Sequence, residues 1–107
     1  MKSSKIRTES FGEFIRRLRE EKELPLRKVA ALLDIDQSTL SKIERNERRA
    51  NDEMISKLSS IFEVNETDLK VTLLSDKISY DIISSNLNTD VLKVAEEKVN
   101  YYKKKLK

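Results

Sequence analysis

The sequence contains no cysteine and no histidine. Their absence removes the common zinc ligands, thiol chemistry and the imidazole general base. It also fits a reducing compartment, weakly, because many secreted chains lack cysteine too. One glycine and one proline in 107 residues leave few helix breakers and too little turn chemistry for long strands, so an all-α fold is expected. No apolar run approaches the roughly 20 residues of a membrane span. The opening MKSSKIRTES is basic but has no apolar segment behind it, so it does not read as a secretory signal. The expectation is a cytoplasmic protein with no membrane contact. Asp and Glu are spread along helical patterns with no Gly-rich phosphate loop beside them. No enzymatic activity, metal, cofactor or small-molecule ligand is therefore expected.

What is present is charge and helical periodicity. Charged residues make up 38% of the chain and hydrophobic residues 37%, so the core is small and economically patterned. The net charge of +3 (22 basic minus 19 acidic) is too mild to mark a nucleic-acid binder by itself. Its distribution says more. Residues 37–50 hold Lys42, Arg45, Arg48 and Arg49 against Glu44 and Glu47, and the chain ends in KKKLK.

Ser10 with Glu13 three residues on is a capping-box signature, and Phe11, Phe14, Ile15 and Leu18 follow at helical spacing, giving a helix over about 10–22. Arg16, Arg17 and Arg19 fall on its other sides. Pro25 interrupts the chain and suits the first turn of the next helix, whose stripe is Leu26, Val29, Ala30 and Leu33. Asp34-Ile35-Asp36 is a tight connection, and Asp36 is a good N-cap for a third helix over Gln37 to about Arg45. That helix has two clearly apolar positions, Leu40 and Ile43. Asn46 is a left-handed terminator. Asn51 caps a fourth helix carrying Met54 or Ile55, then Leu58, Ile61 and Phe62. Asn65 caps a fifth with Leu69, Leu73 and Leu74, continuing toward Ile78 and Ile82. Ser84 to Thr89 reads as a break before a last helix from about Asp90, where Leu92, Ala95, Val99, Tyr102 and Leu106 alternate spacings of three and four.

The second and third helices, joined by a sharp turn, meet the requirements of a helix-turn-helix. Val29 and Ala30 pack the first helix on the core. Leu40 and Ile43 anchor the second, while Gln37, Ser38, Thr39, Ser41 and Lys42 reach outward.

VAALLDIDQSTLSKIERNERRA, Val29–Ala50, preceded by FGEFIRRLREEKELPL, resembles the lambda-repressor-like (Cro/repressor, XRE) helix-turn-helix family over about residues 11–70. The departures are few. Asp34 stands at the family's turn glycine and Asn46 at the glycine after the Glu-Arg pair. Both residue types tolerate left-handed backbone. Leu26 replaces a frequent phosphate-contacting Gln. Ala50 replaces the usual Pro, which is expected to loosen the loop. The resemblance implies a five-helix DNA-binding domain over 9–74 and a helical extension over 75–107. It implies that Gln37, Ser38, Thr39 and Lys42 contact base edges in the major groove, where Gln pairs with adenine, Lys donates to guanine and Thr offers a methyl to thymine. Ser41, Arg45, Arg48, Arg49 and Arg27 are the implied phosphate contacts, with Arg16 and Arg17 weaker ones. Glu44 is read as structural, pairing with a nearby arginine.

Relatives usually bind as dimers with recognition helices one DNA turn, about 34 Å, apart. The extension is therefore expected to dimerise through Leu74, Ile78, Ile82, Leu92, Val99 and Tyr102; its alternative is to fold back on the same chain. The leading expectation is a prokaryotic transcriptional regulator, nucleoid-associated when bound, that acts as a homodimer on palindromic double-stranded DNA. Phage-type repressors and restriction–modification controllers are the small family members it matches in size. The alternative is an antitoxin or adaptor whose main partner is a protein and whose DNA binding is autoregulatory.

Overall fold

The computed structural model describes residues 8–106. The first seven residues, and with them most of the segment read for a signal, lie outside the described residues. So does the last lysine of the basic tail. Among the described residues there are six main helices and no strands. They are α1 (Phe11–Glu21), α2 (Leu26–Leu33), α3 (Gln37–Glu44), α4 (Asp52–Phe62), α5 (Glu66–Ser85) and α6 (Asp90–Lys105). The chain divides into two compact units, one ending at Asp76 and one beginning at Lys77, and α5 runs from the first into the second.

Each helix of the first unit begins where a side chain can satisfy its free N–H groups. Ser10 and Glu13 form the reciprocal capping box on α1. Asp36 caps α3 and Asn51 caps α4, each accepting from the N–H three residues on. Pro25 lies one place earlier than expected. It is the extended N-cap of α2 at φ −70 and ψ 156, so the helix starts at Leu26 and the ring occupies the position that needs no donor.

Helix ends follow a second rule. Glu23, Asp34, Asn46 and Glu63 all have positive φ, between 55 and 62. After each one, the next N–H reaches back five residues: Leu24 to Arg19, Ile35 to Ala30, Glu47 to Lys42 and Val64 to Ser59. This is the Schellman arrangement, which satisfies carbonyls the helix leaves open. Among the described residues the chain does this at four helix ends without a glycine.

The core collects one stripe from every helix of this unit. Phe11, Phe14 and Ile15 of α1 meet Val29, Ala30 and Leu33 of α2, Leu40 and Ile43 of α3, and Ile55, Leu58 and Phe62 of α4, with Leu69 of α5 closing it. Both Met54 and Ile55 are buried, and Ile61 packs at the margin. The single glycine marks where α1 comes closest to α3. A Cβ at Gly12 would lie 2.4 Å from the Glu44 carbonyl oxygen and 2.6 Å from that of Ile43. No side chain larger than hydrogen fits there.

The second unit is different in kind. No described residue from Lys77 onward is buried, and Ile82 alone is half-covered. Its Tyr101 and Tyr102 rings meet edge to face with centroids 5.3 Å apart, and the Lys105 ammonium sits 5.5 Å from the Tyr101 centroid. No helix among the described residues is long and apolar enough to cross a membrane.

Candidate nucleic-acid interface

The site is built on α3 and the loop that follows it. Asp36 fixes the start of the helix. Its carboxylate accepts from the Thr39 N–H at 2.9 Å and from the Ser38 hydroxyl at 3.1 Å. Interactions with Thr39, through side chain and backbone, and then with Ser38 hold this carboxyl below its ordinary range, because they favour the charged form.

Leu40 and Ile43 are fully buried and pin the inner edge of α3. Glu44 is buried with them, which for a carboxylate demands a partner. Arg19 of α1 supplies one in a two-pronged ion pair, Nε to Oε2 at 2.7 Å and Nη2 to Oε1 at 3.0 Å, and its Nη1 donates to the Leu24 carbonyl at 3.0 Å. Only 14% of the Arg19 side chain and 6% of the Glu44 side chain are exposed. The arginine that the sequence left unspecified for Glu44 is thus Arg19, twenty-five residues upstream. The pair ties the far end of α3 to α1.

The opposite edge of α3 faces outward. Gln37, Ser38 and Lys42 are exposed, and Thr39 and Ser41 are half-covered. The four expected base-reading residues therefore do fall together, on one side of one short helix, but they are not equivalent. Ser38 already donates to Asp36, and Thr39 is turned toward the same cap. Gln37 and Lys42 have no side-chain hydrogen bond or ion pair among the described residues.

The arginines also divide. Arg45 is engaged: its guanidinium donates to both carboxylate oxygens of Glu47 at 3.0 and 3.2 Å, and to the Ser41 hydroxyl. A phosphate at Arg45 has to compete with Glu47. Arg48 and Arg49 are exposed and make no ion pair among the described residues, as does Arg27 at the start of α2. Arg16 and Arg17 are held by carboxylates on their own side of the fold, Arg16 by Glu20 and Arg17 by Glu9 and Glu21. Ala50, which stands where the family usually has proline, has its methyl buried in the core cluster.

Sequence reasoning missed the residues that seat this loop. Asn46 is more than a left-handed terminator. Its side chain also bridges to α1, with Oδ1 accepting from the Gly12 N–H at 2.9 Å and Nδ2 donating to the Ser10 hydroxyl oxygen at 2.8 Å. Asp76, near the middle of α5, accepts from the Phe11 N–H at 2.7 Å. The available signal was the lone glycine inside the apolar pattern of α1, where glycine costs about 1 kcal/mol relative to alanine and so marks a close approach. No spacing rule points to Asp76.

An anchored second helix with a hydrogen-bonding outer edge, flanked by exposed arginines and set on a core by the helix before it, defines a DNA-binding module. The model of the family described as Helix-turn-helix matches residues 15–69, and the chain belongs to that family, in its XRE-type branch. Among solved structures, the restriction–modification controller protein C.AhdI from Aeromonas hydrophila is 30% identical. That match covers 55% of this chain and 89% of the other, with a TM-score of 0.51. The N-terminal DNA-binding domain of SinR from Bacillus subtilis is also 30% identical, over 55% of this chain and 87% of its own, with a TM-score of 0.51. The clp gene regulator ClgR from Corynebacterium glutamicum, at 19% identity, shares the fold over 87% of this chain and 93% of its own, with a TM-score of 0.55. No curated protein sequence matches the chain. The protein is a DNA-binding transcriptional regulator; its family and structural neighbours are regulators, not enzymes.

Proposed function

We propose that the chain acts as a homodimer on a palindromic operator, with α3 lying in the major groove of each half-site. Gln37, Ser38, Thr39 and Lys42 read base edges, and Arg48, Arg49, Arg27, Ser41 and, after displacing Glu47, Arg45 hold phosphates. The carrying observation is the contrast within α3. One edge is locked by Leu40, Ile43 and the Arg19–Glu44 pair, while the other leaves Gln37 and Lys42 exposed and without a side-chain hydrogen bond or ion pair among the described residues. The rigid edge supplies the preorganisation that groove reading needs, and each good bidentate base contact contributes about 1–3 kcal/mol of discrimination.

Dimerisation is supported by the exposed faces of α5 and α6. Leu74, Ile78, Leu92, Val99 and Tyr102 are exposed at helical spacings, too much apolar surface to leave in water along two helices. In this role the protein works in a prokaryotic cytoplasm, on the nucleoid when bound, as a small regulator of the controller or phage-repressor type.

Selection of bound sequences from random duplexes tests the reading. It should return a two-fold symmetric site with half-sites about one turn, ~34 Å, apart. Joint Gln37→Ala, Thr39→Ala and Lys42→Ala should lower affinity for that site about 100-fold or more. Retained binding would remove α3 as the reader.

The same exposed face favours one other reading, an antitoxin or adaptor whose α5–α6 segment holds a different protein. Sedimentation separates the two: a tight homodimer of the protein alone supports the first. A monomer at micromolar concentration that binds DNA only with a co-purified protein supports the second.

A further inference from the structure

The three N–H groups at the start of α1 are each taken by a different side chain. Phe11 donates to Asp76 at 2.7 Å, Gly12 to Asn46 at 2.9 Å and Glu13 to Ser10 at 3.2 Å. Two of these acceptors come from far along the chain, one from the loop after α3 and one from α5, 34 and 65 residues away. Asn46 then donates to Ser10, so two of the three acceptors are themselves joined. A helix N-terminus usually meets its needs with neighbouring residues or water. Here it serves as the seat for the loop that carries Arg45, Arg48 and Arg49.

The contact is close. Asn46 holds positive φ at 62, and its Oδ1 would be 2.7 Å from any Cβ at Gly12. The loop therefore has one docked position. Arg48 and Arg49 lie two and three residues beyond that anchor, without ion pairs among the described residues. Their placement is set by backbone, and the backbone is set at Asn46.

We infer that Asn46 and Asp76 are positioning residues for DNA binding: together they clamp the N-terminus of α1 and so fix the arginine loop against the operator's phosphates. The inference rests on the proposed reading of α3 and its loop as the DNA-contacting surface. Neither residue touches DNA. Phosphate contacts fix register on the duplex, so a loop free to shift loses discrimination between operator and other DNA before it loses general attraction to the polyanion.

Asn46→Gly keeps the positive φ and deletes both side-chain bonds. Asp76→Ala deletes the carboxylate, and Asp76→Asn restores an acceptor. Because the chain has one glycine, the Gly12 amide in a 15N-labelled sample is a single reporter of the clamp in wild type and in the Asp76 variants. In Asn46→Gly the two glycine resonances are told apart by sequential assignment. Both deletions should move the Gly12 resonance and lower affinity for the selected operator about three- to tenfold, the loss of a hydrogen bond or two. Affinity for unrelated duplex should change by less than about twofold, and Asp76→Asn should return to within about twofold of wild type. The two deletions should be less than additive, because they open one clamp. A merely structural role would lower the melting temperature and leave the operator-to-unrelated ratio unmoved.

If Gly12 shifts in folded variants while that ratio stays at the wild-type value, the inference falls and the reading of α3 stands. If Gly12 does not respond to Asn46→Gly, the clamp does not exist. If wild type selects no operator at all, the reading of α3 falls and takes this inference with it.

Discussion

The two units of this chain use similar sequence for opposite purposes. Both are built of amphipathic helices with apolar residues three and four apart. In the first, those residues are buried: Ile15, Leu40, Leu58 and Leu69 lose all contact with solvent. In the second, residues of the same types stay exposed, with Ile83 at 76% and Leu92 at 48%. The difference is closure. Four short helices and the first half of α5 can surround one another, whereas the second unit, with few elements, has nothing of its own among the described residues to cover its stripes. Periodicity tells which face of a helix is apolar; what meets that face is a separate question.

The sharpest way to break this comparison is to remove matched leucines from the two regions. Leu58→Ala should cost about 3–4 kcal/mol in urea unfolding, the loss of packing plus a cavity. Leu92→Ala in dilute protein should cost less than about 0.5 kcal/mol. If instead Leu92→Ala costs as much as Leu58→Ala, and the cost grows with protein concentration, a second chain covers α6 and the contrast belongs only to the monomer.

Charge makes the next test. Glu44→Ala strands Arg19 in the first unit's interior and should cost about 3 kcal/mol by the same measurement. Lys77→Ala, which breaks the exposed Lys77–Asp81 pair of the second unit, should change stability by less than about 0.5 kcal/mol. Equal losses would mean that burial does not decide what an ion pair is worth here.

Smaller still is the effect of the helix ends. Glu23 holds φ 55 without an ion pair of its own among the described residues. Glu23→Gly should raise stability by roughly 1 kcal/mol, since glycine adopts that conformation without the Cβ clash. A drop in melting temperature would show that the Glu23 side chain contributes something the backbone geometry does not reveal.

The slightest effect concerns Asp36. Its carboxyl titrates below the ordinary range in the folded protein because Thr39 and Ser38 favour the anion. The cap's contribution is therefore complete above the unfolded-state pKa, about 3.9, and disappears as pH falls through the lower folded value. Wild type should lose slightly more stability over that acidic window than Asp36→Ala, whose remaining loss comes from other paired carboxylates such as Glu47. Parallel acid profiles for the two would remove the cap from the account.

Much of the first unit was legible because its local rules agree. Ser10 with Glu13, Asp36 before Gln37 and Asn51 before Asp52 announced helix starts, and the 3.6-residue stripes named the faces that became the core. Asp34 and Asn46 were readable as left-handed because short polar side chains tolerate that region. Glu23 and Glu63 were not. Glutamate has no such preference, and only the demand that helices turn back onto one core forces it there. The outward edge of α3, proposed as the reading surface, was legible by the same logic: Leu40 and Ile43 fix an inside, and Gln37, Ser38, Thr39 and Lys42 are what remains. The division among the arginines was not legible. Whether Arg45 or Arg48 is occupied depends on where Glu47 comes to rest, and charge sequence does not encode that.

By itself, then, the sequence determined the helices, their inner faces, the turn before α3 and the membership of this chain among helix-turn-helix regulators, because each rests on interactions spanning a few residues. Tertiary structure alone decided that Arg19 neutralises Glu44, that Gly12 admits the α3 loop, that Asn46 and Asp76 meet at the start of α1, and that Ala50 is core. Those pairings join residues tens of positions apart. Many partners are chemically acceptable for each group, and only the packed backbone selects one.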